Sequence, residues 1–151
     1  MSAGTIRPVP IVDVMNVRLV SVSPDVSVRD AITRMVAHGV GSIAVCEGAR
    51  LVGIFTERDV LRLAAEGAQL DGVRLGDVMT TGVVTVSPDT GIVATARLMG
   101  ERRIRHLPVV EGENVLGIVG IRDVLGALAE HLWKEHDTEA HETVHDLLAR
   151  G

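Results

Sequence analysis

The stretch GIFTERDVL, Gly53 to Leu61, returns sixty-four positions later as GIVGIRDVL, Gly117 to Leu125. The same offset lays DVM at Asp13–Met15 on DVM at Asp77–Met79, and VSVSPD at Val20–Asp25 on VTVSPD at Val84–Asp89. Met35 falls on Met99, and Glu47-Gly48 falls on Glu111-Gly112. No gap is needed, and about a third of positions 13–61 are identical in the second copy. A repeat of this kind is two copies of one supersecondary unit. The copies differ at one conspicuous place, where Thr56 becomes Gly120.

Working outward, each copy has the same layout. A short strand at LVSV or VVTV stops at Ser-Pro-Asp, residues that favour turns and helix starts. Val28, Ala31, Ile32, Met35 and Val36 then recur at helical spacing, up to Gly39-Val40-Gly41. Two β-rich runs follow, SIAVC and LVGIF across EGAR, matched by HLPVV and VLGIV across EGEN. Glu-Gly in both turns suits a tight hairpin. A second helix opens after Thr56 or Gly120. The order is β-α-β-β-α, twice, so the class is α/β. The expected units are residues 10–66 and 74–130, joined by the short linker Gln69–Leu75, with a helical tail at 131–151. A copy of about 60 residues buries too little core to stand alone, so the two should pack as one module.

Composition narrows the function. The chain has 151 residues, 46% hydrophobic and 23% charged, which reads as soluble and globular. No apolar run approaches the roughly 18 residues of a membrane helix, and MSAGTIRPVP lacks a signal-peptide core. With one cysteine, Cys46, neither a disulfide framework nor a thiolate metal pair is expected, and the cytoplasm is the expected compartment. The net charge of −5 gathers at the end: from Glu130 onward six acidic residues face Lys134 and Arg150. Neither part has the basic excess of a nucleic-acid binder, and 1% aromatic content offers no base-stacking surface. The sequence contains no G-x-S-x-G, P-loop or dinucleotide-binding glycine fingerprint, so no enzyme is expected. Cys46 lies in a β-rich run, where cysteine is usually an inert small hydrophobe.

Two copies of DVM…V-x-V-x-P, LPVV and G-I-V/F-T/G-x-R-D-V resemble a tandem CBS-domain pair, the family named after cystathionine β-synthase. The resemblance covers about Pro10 to Glu130 and rests on order, spacing and duplication together. It implies a pseudo-twofold module with two clefts between the repeats, which in many members bind adenosine-containing ligands such as AMP, ATP or S-adenosyl methionine. It also implies further pairing into homodimers. Residue by residue, it implies Thr56 and Asp59 as ribose contacts and Arg58 as a phosphate contact. Val83 and Ile104 match positions that line the adenine, and Arg105 and His106 match positions that touch phosphate or base. The mirror cleft would use Asp123 and Arg122, with Leu19, Val40, Gly41 and Ser42 opposite and Gly120 in place of a threonine. The Thr56–Asp59 cleft is therefore the expected better site. Against this stands a purely local reading, in which T-E-R-D is a capping box that complements the helix dipole. Gly120 would then be a tolerated substitute.

The tail AEHLWKEHDTEAHETVHDLLARG carries His131, His136, His141 and His145. On a helix His141 and His145 would be i,i+4 neighbours, a spacing that can hold a metal, with Asp137, Glu142 and Asp146 near. A solvated polar helix is the expected outcome, and Leu132, Trp133, Val144, Leu147 and Leu148 suggest an apolar stripe that docks somewhere. The sequence thus points to a stand-alone regulatory module with an adenine nucleotide as regulatory ligand, an unknown protein partner and no resident cofactor or metal. A ligand-free dimerisation module and a metal-responsive protein are the alternatives.

Overall fold

The computed structural model describes residues 9–15, 19–135 and 138–150, with the side chains of 133–143 excluded. Helix α1 (Val28–His38) begins at Ser27, whose hydroxyl oxygen accepts the Asp30 N–H at 3.1 Å. It buries Val28, Ala31 and Met35, one helical stripe. It ends at Gly39, whose φ of 64° is the left-handed cap that glycine takes without strain. Its counterpart α4 (Ile92–Arg102) follows Gly91, which has no side chain to cap with, and ends at Arg103 with a left-handed φ of 55°.

After each of these helices comes a hairpin: β2 (Ser42–Glu47) with β3 (Arg50–Thr56), and β4 (His106–Glu111) with β5 (Asn114–Gly120). The register shifts at Val45/Cys46 and at Val109/Val110, the same place in both copies. With β1 (Ser21–Val22) running parallel to β2, the strands form one sheet in the order β1-β2-β3-β5-β4. The halves of this sheet meet through the pair Arg50↔Asn114. A leading strand was expected in both copies, but the second shows only the bridge Val86↔Val109. The cause is Pro108. Its counterpart Ala44 donates its N–H to Val20 at 3.2 Å, and proline has no N–H to donate.

Helices α2 (Glu57–Ala65) and α5 (Ile121–Glu135) complete the two units. The stretch Gln69–Leu75, expected as a plain linker, does more than connect them. Leu75 opens the single turn α3 (Leu75–Val78), is fully buried, and belongs to the core of the first copy with Val28, Ile43, Val45 and Phe55. Ile11, in the 3-10 turn Ile11–Asp13, is likewise fully buried, but in the core of the second copy with Met99, Leu107, Val119 and Leu128. The leading segments are exchanged. Leu75 N–H donates to the Val26 carbonyl at 2.8 Å, and Ile11 N–H donates to the Thr90 carbonyl at 2.7 Å. Each core is finished by a residue from the other copy, which is why the repeats pack as one body.

One element breaks the symmetry. Helix α6 (Thr138–Ala149) lies against α4 and α5, where Val144 and Leu147 extend the second core. Leu147 reaches to 3.5 Å from where a Cβ on Gly100 would stand. Nothing among the described residues covers the equivalent face of α1 and α2, where Val36 is 76% and Leu61 73% exposed.

Candidate functional site

Hairpin register decides which side chains meet. In the second copy His106 pairs with Gly120, and Ile121 N–H donates to the Arg105 carbonyl at 2.8 Å. Arg105 and His106 therefore stand beside the head of α5, next to Gly120, Arg122 and Asp123 of their own repeat. In the first copy Ser42 pairs with Thr56, and Glu57 N–H donates to the Gly41 carbonyl at 2.9 Å. The two hairpin ends line one groove of about 860 Å³, with Val40, Gly41, Ser42 and Glu57 on one side. Arg105, His106, Gly120, Arg122 and Asp123 form the other side.

Arg105 and His106, expected opposite Thr56–Asp59, line one groove with Val40, Gly41, Ser42, Arg122 and Asp123, the residues assigned to the mirror cleft. Thr56, Arg58, Asp59, Val83, Ile104 and Leu19 do not line this groove. Ile104 packs on the second core, and Leu19 packs on a small cluster of Ala44, Cys46 and Val115. Arg58 is exposed and Val83 half-buried. Glu57 was not singled out from the sequence; its place one residue after Thr56, matching Ile121, is the signal that could have found it.

The two motif carboxylates sit in different surroundings. Asp59 is 8% exposed, and its Oδ2 accepts the Thr56 N–H at 2.9 Å and the Thr56 hydroxyl at 3.2 Å. Its Oδ1 faces the Arg62 guanidinium at 3.5 Å. Asp123 is exposed, and its Oδ2 accepts the Gly120 N–H at 3.2 Å. Both anions lie in the first turn of a helix, where the dipole favours them.

The groove mixes charges. Arg105 and Arg122 are exposed and have no ion pair among the described residues. Burial holds the His106 pKa below its ordinary 6.5, Arg105 lowers it further, and Glu57 and Asp123 oppose them. A methyl on Gly41 would come within 3.2 Å of the Glu57 carboxylate, so glycine lets that side chain lie close. Guanidinium groups can hold an anion, and an exposed carboxylate beside them can accept hydroxyl protons. A groove with that lining suits an anion that also carries hydroxyl groups. Phe55 is fully buried in the first core and does not line the groove.

Elsewhere, Cys46 is buried and its thiol pKa is pushed up by burial. His131 is buried and His145 exposed, while His136 and the side chains of Trp133 and His141 lie outside the described residues. No helix among the described residues is long and apolar enough to cross a membrane.

Two exchanged copies of one α/β unit around a shared polar groove define a tandem-repeat module. The family model for the CBS domain matches residues 11–66 and again residues 75–130, and the chain belongs to that family. It is 39% identical over 114 residues to the mitochondrial CBS domain-containing protein CBSX3 of Arabidopsis thaliana, spanning 71% of this chain and 55% of that one. It is 36% identical to the CBS domain-containing protein YhcV of Bacillus subtilis, over 74% of this chain and 80% of that one. It is also 37% identical to the arabinose 5-phosphate isomerase KdsD of Yersinia pestis, over 71% of this chain but only 33% of the isomerase. Among solved structures, the CBS-domain protein ATU1752 of Agrobacterium tumefaciens superposes with a TM-score of 0.73 at 31% identity, over 79% of this chain and 98% of that one. The protein PAE2072 of Pyrobaculum aerophilum, complexed with AMP, gives 0.73 at 24% identity over 81% and 99%. The CBS pair of protein MJ0100, in complex with 5′-methylthioadenosine and S-adenosyl-L-methionine, gives 0.75 at 22% identity over 82% and 98%. These last two share the fold.

Proposed function

We propose that the chain is a regulatory module that binds an adenosine-containing ligand of the AMP, ADP or ATP class between its repeats and signals through changes in packing or assembly. The observation that carries this reading is the meeting, in one groove, of Arg105, Arg122 and the exposed carboxylate of Asp123. The fold shared with AMP-bound and S-adenosylmethionine-bound proteins supports it. In this reading the arginines face a phosphate or carboxylate, Asp123 faces the ribose, and Val40 and Ser42 close the opposite wall. The Thr56–Asp59 cleft, with Arg58, Val83 and Ile104, becomes the weaker of the two. The module does no chemistry itself, and its place in the cytoplasm belongs to the same proposal.

Thermal unfolding with AMP, ADP, ATP, NAD and S-adenosyl methionine tests it. A ligand at about 100 times its Kd adds roughly 2.7 kcal/mol of stability. One of the panel should stabilise the wild type and lose its effect on Asp123→Ala. Absence of any shift across the panel sinks the reading.

The exposed Val36 and Leu61 favour the second reading, a homodimer, and the two are compatible. Ile32, Met35, Val36, Val60 and Leu61 continue the groove wall along α1 and α2, so a ligand and a second copy would touch one surface. Val36→Asp with Leu61→Asp should turn a dimer into a monomer by light scattering. A dimer unaffected by both changes would place the interface elsewhere.

A further inference from the structure

We infer that α6 is a cover carried by the chain itself: it takes on the second repeat the place that a second copy takes on the first, and so holds self-association in check. The inference rests on the homodimer reading above and concerns the face that this reading leaves out. The offset of 64 lays α1 on α4 residue for residue, and α2 on the start of α5, so Val36 corresponds to Gly100 and Leu61 to Leu125. In the first repeat this face is open, with Val36 76% and Leu61 73% exposed. In the second, α6 lies against both α4 and α5, Val144 and Leu147 pack on the core, and Leu125 is half-buried. The two faces are copies of one another, and the one that is covered is covered by a helix of this chain.

The seat of α6 is written into the second copy. Gly100 sits inside α4, where glycine is among the least favourable helix residues, and it lies outside the positive-φ residues of the chain. A Cβ there would already touch Leu147 Cδ2 at 3.5 Å and Arg150 Nη1 at 3.6 Å. The further methyls of a valine, the residue at position 36, would push into α6. One turn earlier Ile32 is replaced by Ala96, which is fully buried. What α6 turns outward is mostly polar: His145, Asp146 and Arg150 are exposed, with Leu148 the apolar exception at 68%. A terminal element with a polar outer face stops further stacking, as capping repeats do in repeat proteins. The first repeat has no such element among the described residues. Its open helix pair suits a twofold contact, which uses the same patch on both partners.

Sedimentation over a concentration series reads self-association of the full chain, and amide exchange reads whether α6 is seated. Two variants unseat the helix by different routes: Gly100→Val from beneath it, and Val144→Asp with Leu147→Asp from α6 itself. In both, α6 should exchange fast while α4 and α5 stay protected. Association should tighten, seen as a dimer Kd about tenfold or more below the wild type's, or as a mass above two copies. Leu125→Asp added to either variant should return association to the wild-type level. Fast exchange in α6 with unchanged association overturns the inference and leaves the homodimer reading standing. Tightened association that Leu125→Asp fails to reverse overturns it too, because the new contact would then lie off the α4–α5 face. An α6 that stays protected in both variants does the same, since its seat would not be that face. If the wild type and both variants are monomers at every concentration, the inference and the homodimer reading fall together.

Discussion

The two repeats share a scaffold and diverge at their surfaces. Their hairpins carry a bulge at the same place, and their leading segments are exchanged through equivalent backbone bonds. The first repeat, however, leaves its helix pair open, with Val36 and Leu61 in solvent, and locks its motif carboxylate. The second repeat covers its helix pair with α6 and leaves its carboxylate exposed. Duplication thus preserved whatever the shared core requires and released whatever it does not. Val36 and Gly100 occupy equivalent positions; at one an apolar side chain stands free, and at the other its absence lets Leu147 approach.

The exchange of leading segments is the strongest claim of symmetry, and it is the one most easily broken. Leu75 and Ile11 are both fully buried, each in the core of the other copy. Leu75→Ala and Ile11→Ala should each cost about 2–5 kcal/mol in urea unfolding, through lost transfer energy and the cavity left behind. Both should lower a single cooperative transition. Two separate transitions, or a large loss for one variant and none for the other, would mean that the repeats do not share their cores.

A smaller effect is expected where β3 passes under the start of the second repeat. A Cβ on Gly53 would stand 2.9 Å from the Thr80 carbonyl oxygen, which accepts the Ile54 N–H at 3.0 Å. Gly53→Ala must displace that backbone bridge, and overpacking of this kind costs about 1–3 kcal/mol. A neutral result in urea unfolding would show that Met79 and Thr80 can move aside freely. At the tail, Leu147 is half-buried against the second core, and Leu147→Ala should cost about 1 kcal/mol by lost apolar burial. Amide exchange in α6 should accelerate with it. No change in either would leave α6 without an energetic role in covering the second repeat.

The scaffold was legible because duplication is a property of the sequence itself. Periodicity at Val28–Val36 and the paired Glu-Gly turns located helices and hairpins directly, since those signals are local. The site was only partly legible. The contacts of the two motif carboxylates were not legible, since Asp59 meets Arg62 from one turn further along, where the second copy has Gly126. The neighbours of Arg105 and His106 depend on hairpin register, which sets His106 beside Gly120. Pro108 removed a strand bond that copying alone would have predicted. The exchange of Ile11 and Leu75 had no local signal, because an isolated apolar residue before a repeat does not say which core it enters.

The smallest expected effect isolates a single residue. His106 corresponds to Ser42, so only the second repeat places a titratable ring at its hairpin end. Burial and the neighbouring Arg105 hold the His106 pKa below 6.5, against the pull of Glu57 and Asp123. In the unfolded chain the imidazole takes up its proton near 6.5, and in the folded chain only at lower pH. Between those points the unfolded state binds more protons, so stability rises with pH across that window. The contribution is fully present above 6.5 and is lost as pH falls through the folded value. His106→Gln should therefore flatten the acid side of the pH–stability curve, with little change at pH 8. A phosphate placed beside the ring would work the other way, favouring the imidazolium and raising the pKa. With AMP bound, then, the wild-type curve should lose some of its slope below pH 6.5. A ligand-bound curve parallel to the free one would place any bound phosphate away from His106.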